Sequence, residues 1–95
     1  MQKEPKEGRM PEISRFFGIV IKMFFDDHNP PHFHTEFAEY KATFSIETGQ
    51  MIQGDFPHNK TSLVTAWTVI HQEELMKNWN LLAEGVNPKK IKKLE

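Results

Sequence analysis

The spacing of apolar residues changes period at Pro57, and this limits the fold more than any other feature. From His32 to Glu47 apolar residues alternate with polar ones; after Pro57 they recur every three or four positions. Alternation places every second side chain on one face of a strand, and a recurrence of 3.6 marks an amphipathic helix. The strands come first and one helix follows, so the expected fold is α+β, an antiparallel meander followed by a helix.

Four strands are predicted, at 16–25, 32–37, 40–47 and 51–56. The first is apolar on both parities, with Phe17, Ile19, Ile21, Met23 and Phe25 on one face and Phe16, Val20 and Phe24 on the other. It therefore reads as a long strand covered on both sides. In the second, Phe33, Thr35 and Phe37 share one face, and His32, His34 and Glu36 share the other. Ala38-Glu39 is a predicted hairpin turn without the Gly or Asn that favours positive φ, whereas Thr48-Gly49 has one. From Asn59 to Glu84 a stripe of Leu63, Trp67, Ile70, Leu75, Trp79 and Leu82 predicts one long helix over 59–84, with room for a bend near His71 to Glu74. Asn59, Thr61 and Ser62 are candidate N-caps, and Gly85 fits the position just past the C-terminus.

The domain is expected to span residues 10–86, preceded by a disordered extension at 1–9 and followed by a basic tail at 87–95. The net charge of −1 conceals a segregation: residues 10–84 carry five basic and ten acidic groups, and residues 85–95 carry four lysines and one glutamate. An acidic body argues against a broad phosphate-binding surface. Lys89, Lys90, Lys92 and Lys93 are the candidates for contact with nucleic acid or an acidic partner; the alternative is a solvated tail. Cysteine is absent, which removes disulfides, thiolate ligands and cysteine nucleophiles. The first nine residues contain no apolar core of a secretion signal, and no apolar run is long enough to span a bilayer. A cytoplasmic location away from membranes is expected.

The residues with the most chemistry lie between Asp26 and Glu36, where three of the five histidines fall within seven positions. His32 and His34 on one strand face stand about 6.8 Å apart at the backbone, two steps of roughly 3.4 Å, and imidazoles can converge from there on one ion. Glu36 continues that face. Asp27 or His28 can fold over it through the turn at Asn29-Pro30-Pro31. The candidate metal ligands are His28, His32, His34 and Glu36, and the candidate acid–base groups are Asp27, His28 and Glu36. Nitrogen with carboxylate ligation suits Zn²⁺, Ni²⁺, Mn²⁺ or Fe²⁺, and a bound water would become a hydrolytic nucleophile. The same residues also suit a hydrogen-bonded turn beside prolines or a solvated strand face. Arg15 is a further candidate, for an anion or for a carboxylate partner. His58 and His71 stand apart from the cluster, and Trp67 and Trp79 read as core. Phosphate loops, nucleophile elbows, zinc-protease helices and dinucleotide fingerprints are absent from the sequence.

Met10 to Ile19, then Asp27-His28-Asn29-Pro30-Pro31-His32-Phe33-His34, then Tyr40-Lys41-Ala42, resemble a small bacterial family known as domain of unknown function 4160. The resemblance covers about residues 10–90, and its His-Asn-Pro-Pro-His-Phe-His block is the most specific part. Family members commonly have Gly where this chain has Ala38. Such genes often lie beside one for a second small domain of unknown function, numbered 2442, in pairs suggested to be toxin–antitoxin-like. The resemblance therefore implies a protein-binding component of a two-gene toxin–antitoxin-like or regulatory module, partnered by a second small protein. A metal-dependent hydrolase or nuclease using His28, His32 and His34 is the alternative. Nucleic-acid binding through the basic tail is a third.

Overall fold

The structure is a computed structural model that describes residues 11–95. The expected extension at 1–9 lies outside the described residues. Among the described residues five strands and two helices follow in order: β1 Glu12–Phe16, β2 Ile19–Lys22, β3 His32–Phe37, β4 Tyr40–Ser45, β5 Met51–Asp55, α1 His58–Ile70 and α2 Gln72–Ala83. The strands form one antiparallel sheet in sequence order, so the α+β meander is as expected, with one strand and one helix more.

The extra strand comes from the apolar run read as a single strand over 16–25. Phe16 pairs with Ile19 across a two-residue turn. Both turn residues have positive φ, 50° at Phe17 and 81° at Gly18, the backbone pattern that matches a hairpin's twist. A run apolar on both parities fits one strand covered on both sides, and it fits equally well two short strands folded on each other. Gly18 was the only local sign of the second. Ala38, the first residue of the β3–β4 turn, also takes a left-handed φ of 54°.

The single helix expected over 59–84 is two helices divided at His71, whose ψ of 27° departs from helical geometry. Backbone hydrogen bonds still run from His71 to Trp67 and from Leu75 to His71, so the division is a kink. Just past it, the Gln72 side-chain amide donates to the carbonyls of Ile46 and Glu47, anchoring the kink to the β4–β5 loop. None of the three predicted N-caps is used: Pro57 precedes α1 with no side-chain cap. At the other end Gly85 has φ 78°. Its N–H donates to Leu82, and that of Val86 to Leu81. This is the paired closure that glycine permits after a helix.

The core lies between one sheet face and the helices. Phe33 and Phe44 stack at 5.8 Å, and Trp67 meets Phe33 edge-on at 5.7 Å. Ile13, Ile19, Ile21, Val64, Leu75 and Leu82 close around them, all buried. Burial of each such side chain contributes about 1.5–3 kcal/mol. The chain continues to pack beyond residue 86. Ile91 is buried and its N–H donates to Ile13 on β1; the Trp67 indole donates to Lys92, at 2.9 Å. The buried Asn78 amide exchanges two hydrogen bonds with the backbone of Lys89. The basic segment is therefore docked by its backbone and by Ile91, while the side chains of Lys89, Lys90, Lys92 and Lys93 stay exposed. No described helix is long and apolar enough to cross a membrane.

Candidate metal centre

The loop between β2 and β3 begins at Met23, whose N–H donates to the Pro11 carbonyl just before β1. Asp26 turns the chain with φ 50°, and its N–H donates to Leu82 of α2. Pro31 accepts from the N–H of Ile46. The loop is thus fixed at both ends, to α2 and to the segment after β4. It folds back over the face of β3 that carries His32 and His34, as the alternation predicted.

Asp27 stands at the centre of the cluster. Its Oδ2 lies 2.9 Å from His32 Nε2 and 3.2 Å from His34 Nε2. Its Oδ1 accepts from the His28 backbone N–H at 2.8 Å and lies 3.0 Å from His28 Nδ1. One carboxylate oxygen is thus occupied by His28, and the other faces the two β3 histidines. Ligand atoms of Asp27, His32 and His34 all lie within 4.8 Å of one another. Around a tetrahedral ion with bonds near 2.0–2.1 Å, ligand atoms stand about 3.3 Å apart, so small side-chain rotations would complete such a shell.

The His32 ring is the most constrained part. It is 4 % exposed, with Trp79 at 5.3 Å and the His28 ring at 5.2 Å. Its Nδ1 lies 2.6 Å from the Pro30 carbonyl oxygen. A carbonyl oxygen only accepts, so Nδ1 carries a hydrogen and Nε2 is directed at Asp27. Phe24 stacks on the His34 ring at 4.1 Å and 18°.

Burial alone would raise the Asp27 carboxyl. Hydrogen bonds from His34 and from the His28 N–H, with the His32 ring nearby, instead hold it below the usual carboxylate range. Burial lowers His34 below the usual histidine value; Asp27 opposes this, and the neighbouring His32 and His28 rings reinforce it. The two directions agree on one state: a neutral His34 donating from Nε2 to an ionised Asp27.

The remaining candidates lie elsewhere. His28 is in the loop but 83 % exposed, and it addresses the outer oxygen of Asp27 rather than the convergence point. Glu36 shares the face of His34 but pairs with Lys22 at 3.4 Å, so the structure does not bring it to the cluster. Arg15 is exposed and forms a two-pronged pair with Glu12 at 2.8 and 2.9 Å. The four tail lysines are exposed, with the Lys89 backbone held at Asn78 of α2 and that of Lys92 at Trp67 of α1, and His58 is exposed at the start of α1. His71 pairs with Glu74. Sequence reasoning missed Phe24, Trp79 and the Pro30 carbonyl. Trp79 lay in the predicted helix stripe, whose spacing carries no sign that it meets the His32 ring.

No curated protein and no solved structure matches the chain. The model of a family described as domain of unknown function, DUF4160, matches residues 18–80, about two thirds of the sequence and the whole of the Asp27–His34 cluster. The chain belongs to that family.

Proposed function

We propose that the chain binds a divalent transition metal through Asp27, His32 and His34, leaves a coordination position for water, and acts as a metal-dependent hydrolase. The observation that carries this is the His32 ring, whose Nδ1–H is committed to Pro30 while Nε2 faces a carboxylate oxygen at 2.9 Å. Two electron pairs face each other there unless a proton or a cation lies between them. A backbone carbonyl that fixes the other ring nitrogen is the usual support of a metal-bound histidine. Two imidazoles and one carboxylate suit Zn²⁺, Ni²⁺ or Mn²⁺, and a metal there would acidify its bound water. Asp27 is held ready by His28, and the exposed His28 ring offers a path for a proton to solvent.

Trp79, 5.3 Å from His32, supplies the test. Titration of the chelator-treated chain with Ni²⁺ should quench tryptophan fluorescence saturably, and Zn²⁺ should compete. His32→Ala and His34→Ala should each abolish the competition. Quenching that survives in both variants would end the reading.

A second reading, docking to a small partner protein, is supported by β5. It pairs with β4 alone among the described strands, all five of its residues are exposed, and Met51 and Ile52 present apolar side chains there. An open strand edge is a template for added strands. Pull-down with the adjacent gene's product, weakened by Ile52→Lys, is its test; an unaffected complex would move the interface elsewhere. Contact of the tail lysines with nucleic acid has only their exposure in its favour.

A further inference from the structure

Away from the β2–β3 loop, the sheet face opposite the helices is open at Lys41, Gln53 and Asp55, and its charges alternate across the strands. Register sets Glu12 opposite Lys22, and Lys41 between Glu36 and Asp55. Arg15 pairs with Glu12, and Lys22 with Glu36. Each cation on this face is thus flanked by a carboxylate. Such a surface has little net field, and a phosphodiester strand gains little from it.

A groove of about 440 Å³ runs over this face beside the candidate metal centre. Phe24 and His34 form one end of it, and Gln53 and Gly54 lie at the other. His34, Thr43 and Gln53 stand in one row, because His34 pairs with Thr43 and Thr43 with Gln53. At about 4.8 Å per strand the row is nearly 10 Å long, the length of three extended residues. Its charged lining residues are one carboxylate, Glu36, and one ammonium, Lys41. Thr43 and Gln53 each offer a donor and an acceptor. Gly54 contributes backbone alone; a Cβ there would lie 2.4 Å from the Lys41 carbonyl. The groove ends on β5, the strand with the open edge.

We infer that this groove holds a short peptide-like segment, delivering one of its amide carbonyls to the metal position beside His34, and that it does not hold a nucleic acid. The inference rests on the metal reading above and adds the substrate class. Neutral lining with paired donors and acceptors complements amide groups, and the row has the length of a tripeptide.

The test uses the Zn²⁺-loaded chain and hydroxamates, which anchor on a metal with an open position. Shifts of the His32 and His34 ring signals report loading; shifts of the Thr43, Gln53 and Gly54 amides report the groove. Extending acetohydroxamate to N-acetyl-glycyl-glycine hydroxamate should tighten binding at least tenfold. The double variant Thr43→Val, Gln53→Ala should lose that gain and keep the affinity for acetohydroxamate. Loading without a gain, or a gain that survives the double variant, would overturn the groove and leave the metal reading standing. A thymidine trinucleotide with a 5′-phosphate binding more than tenfold tighter than inorganic phosphate would overturn the substrate class. Absence of ring shifts with Zn²⁺ would overturn both.

Discussion

Asp27→Asn separates a metal ligand from a structural hydrogen-bonding hub. In the metal-free chain Asp27 accepts from the His28 N–H and faces the ring nitrogens of His32 and His34. Asparagine keeps the shape of the carboxylate. Its oxygen can accept from the His28 N–H, and its NH₂ can donate to His32 Nε2, with Nδ1–H still on Pro30. Only the bond from His34 must rearrange. The metal-free cost is therefore about 1.5–3 kcal/mol, the net worth of one hydrogen bond to a charged group. The metal-bound cost is much larger, because a neutral amide is a poor ligand. With Zn²⁺ at about a hundred times its Kd, the native chain should gain about 2.7 kcal/mol. At about 4–8 °C per kcal/mol for a domain of this size, that is a rise in Tm of about 10–20 °C. Calorimetry of both proteins, with and without Zn²⁺, reads the difference. The native chain should show the rise, and Asp27→Asn should melt about 6–24 °C below metal-free native protein and show none. If Asp27→Asn keeps the rise, Asp27 is not a ligand; if the native chain shows none, the cluster is a hydrogen-bonded turn. In either case the argument from the His32 tautomer fails.

Acid should destabilise the metal-free chain in two stages. The folded state lowers the His34 value, so its contribution is fully present above about pH 6.5, the unfolded value, and is lost as pH falls from there. Asp27 is lowered too, so its contribution is present above about pH 3.9 and is lost as pH falls further. Tm measured from pH 8 to 5 should fall in the native chain and fall less in His34→Gln; equal slopes would contradict the assignment. Ala38→Gly should stabilise by about 1 kcal/mol in urea unfolding, because alanine holds a left-handed φ of 54° there. A destabilised variant would mean that the turn takes another geometry. Asn78→Ala should cost about 2–3 kcal/mol, since it removes both hydrogen bonds to Lys89 and leaves those backbone groups without their partner. Amide exchange at Ile91 should speed up with it, and unchanged protection there would show that Ile91 docks independently of Asn78.

Period alone made most of the architecture legible. The switch at Pro57 separated sheet from helix, and alternation in β3 placed His32 and His34 on the face away from Phe33. What period cannot show is where a run folds back on itself. The segment from Phe16 to Phe25 is apolar throughout, so a hairpin at Phe17-Gly18 and a straight strand give the same pattern; the difference lies in two positive φ values, one of them at a phenylalanine. The helix stripe likewise continues through His71, because a kink that keeps its hydrogen bonds leaves the spacing nearly intact. The same limit applies to the cluster. Spacing within β3 made the histidine pair visible, but Asp27 joins it only through a loop whose path is set by distant partners, Leu82 for Asp26 and Ile46 for Pro31. Glu36 has the better spacing and is drawn off by Lys22, a charge on the neighbouring strand. A carboxylate reaches these imidazoles because the loop carries it there. Under the proposed metal reading, the stiffness of the segment from Asp26 to Pro31 matters as much as Asp27, His32 and His34 themselves, and loosening either anchor should weaken metal binding with all three residues in place.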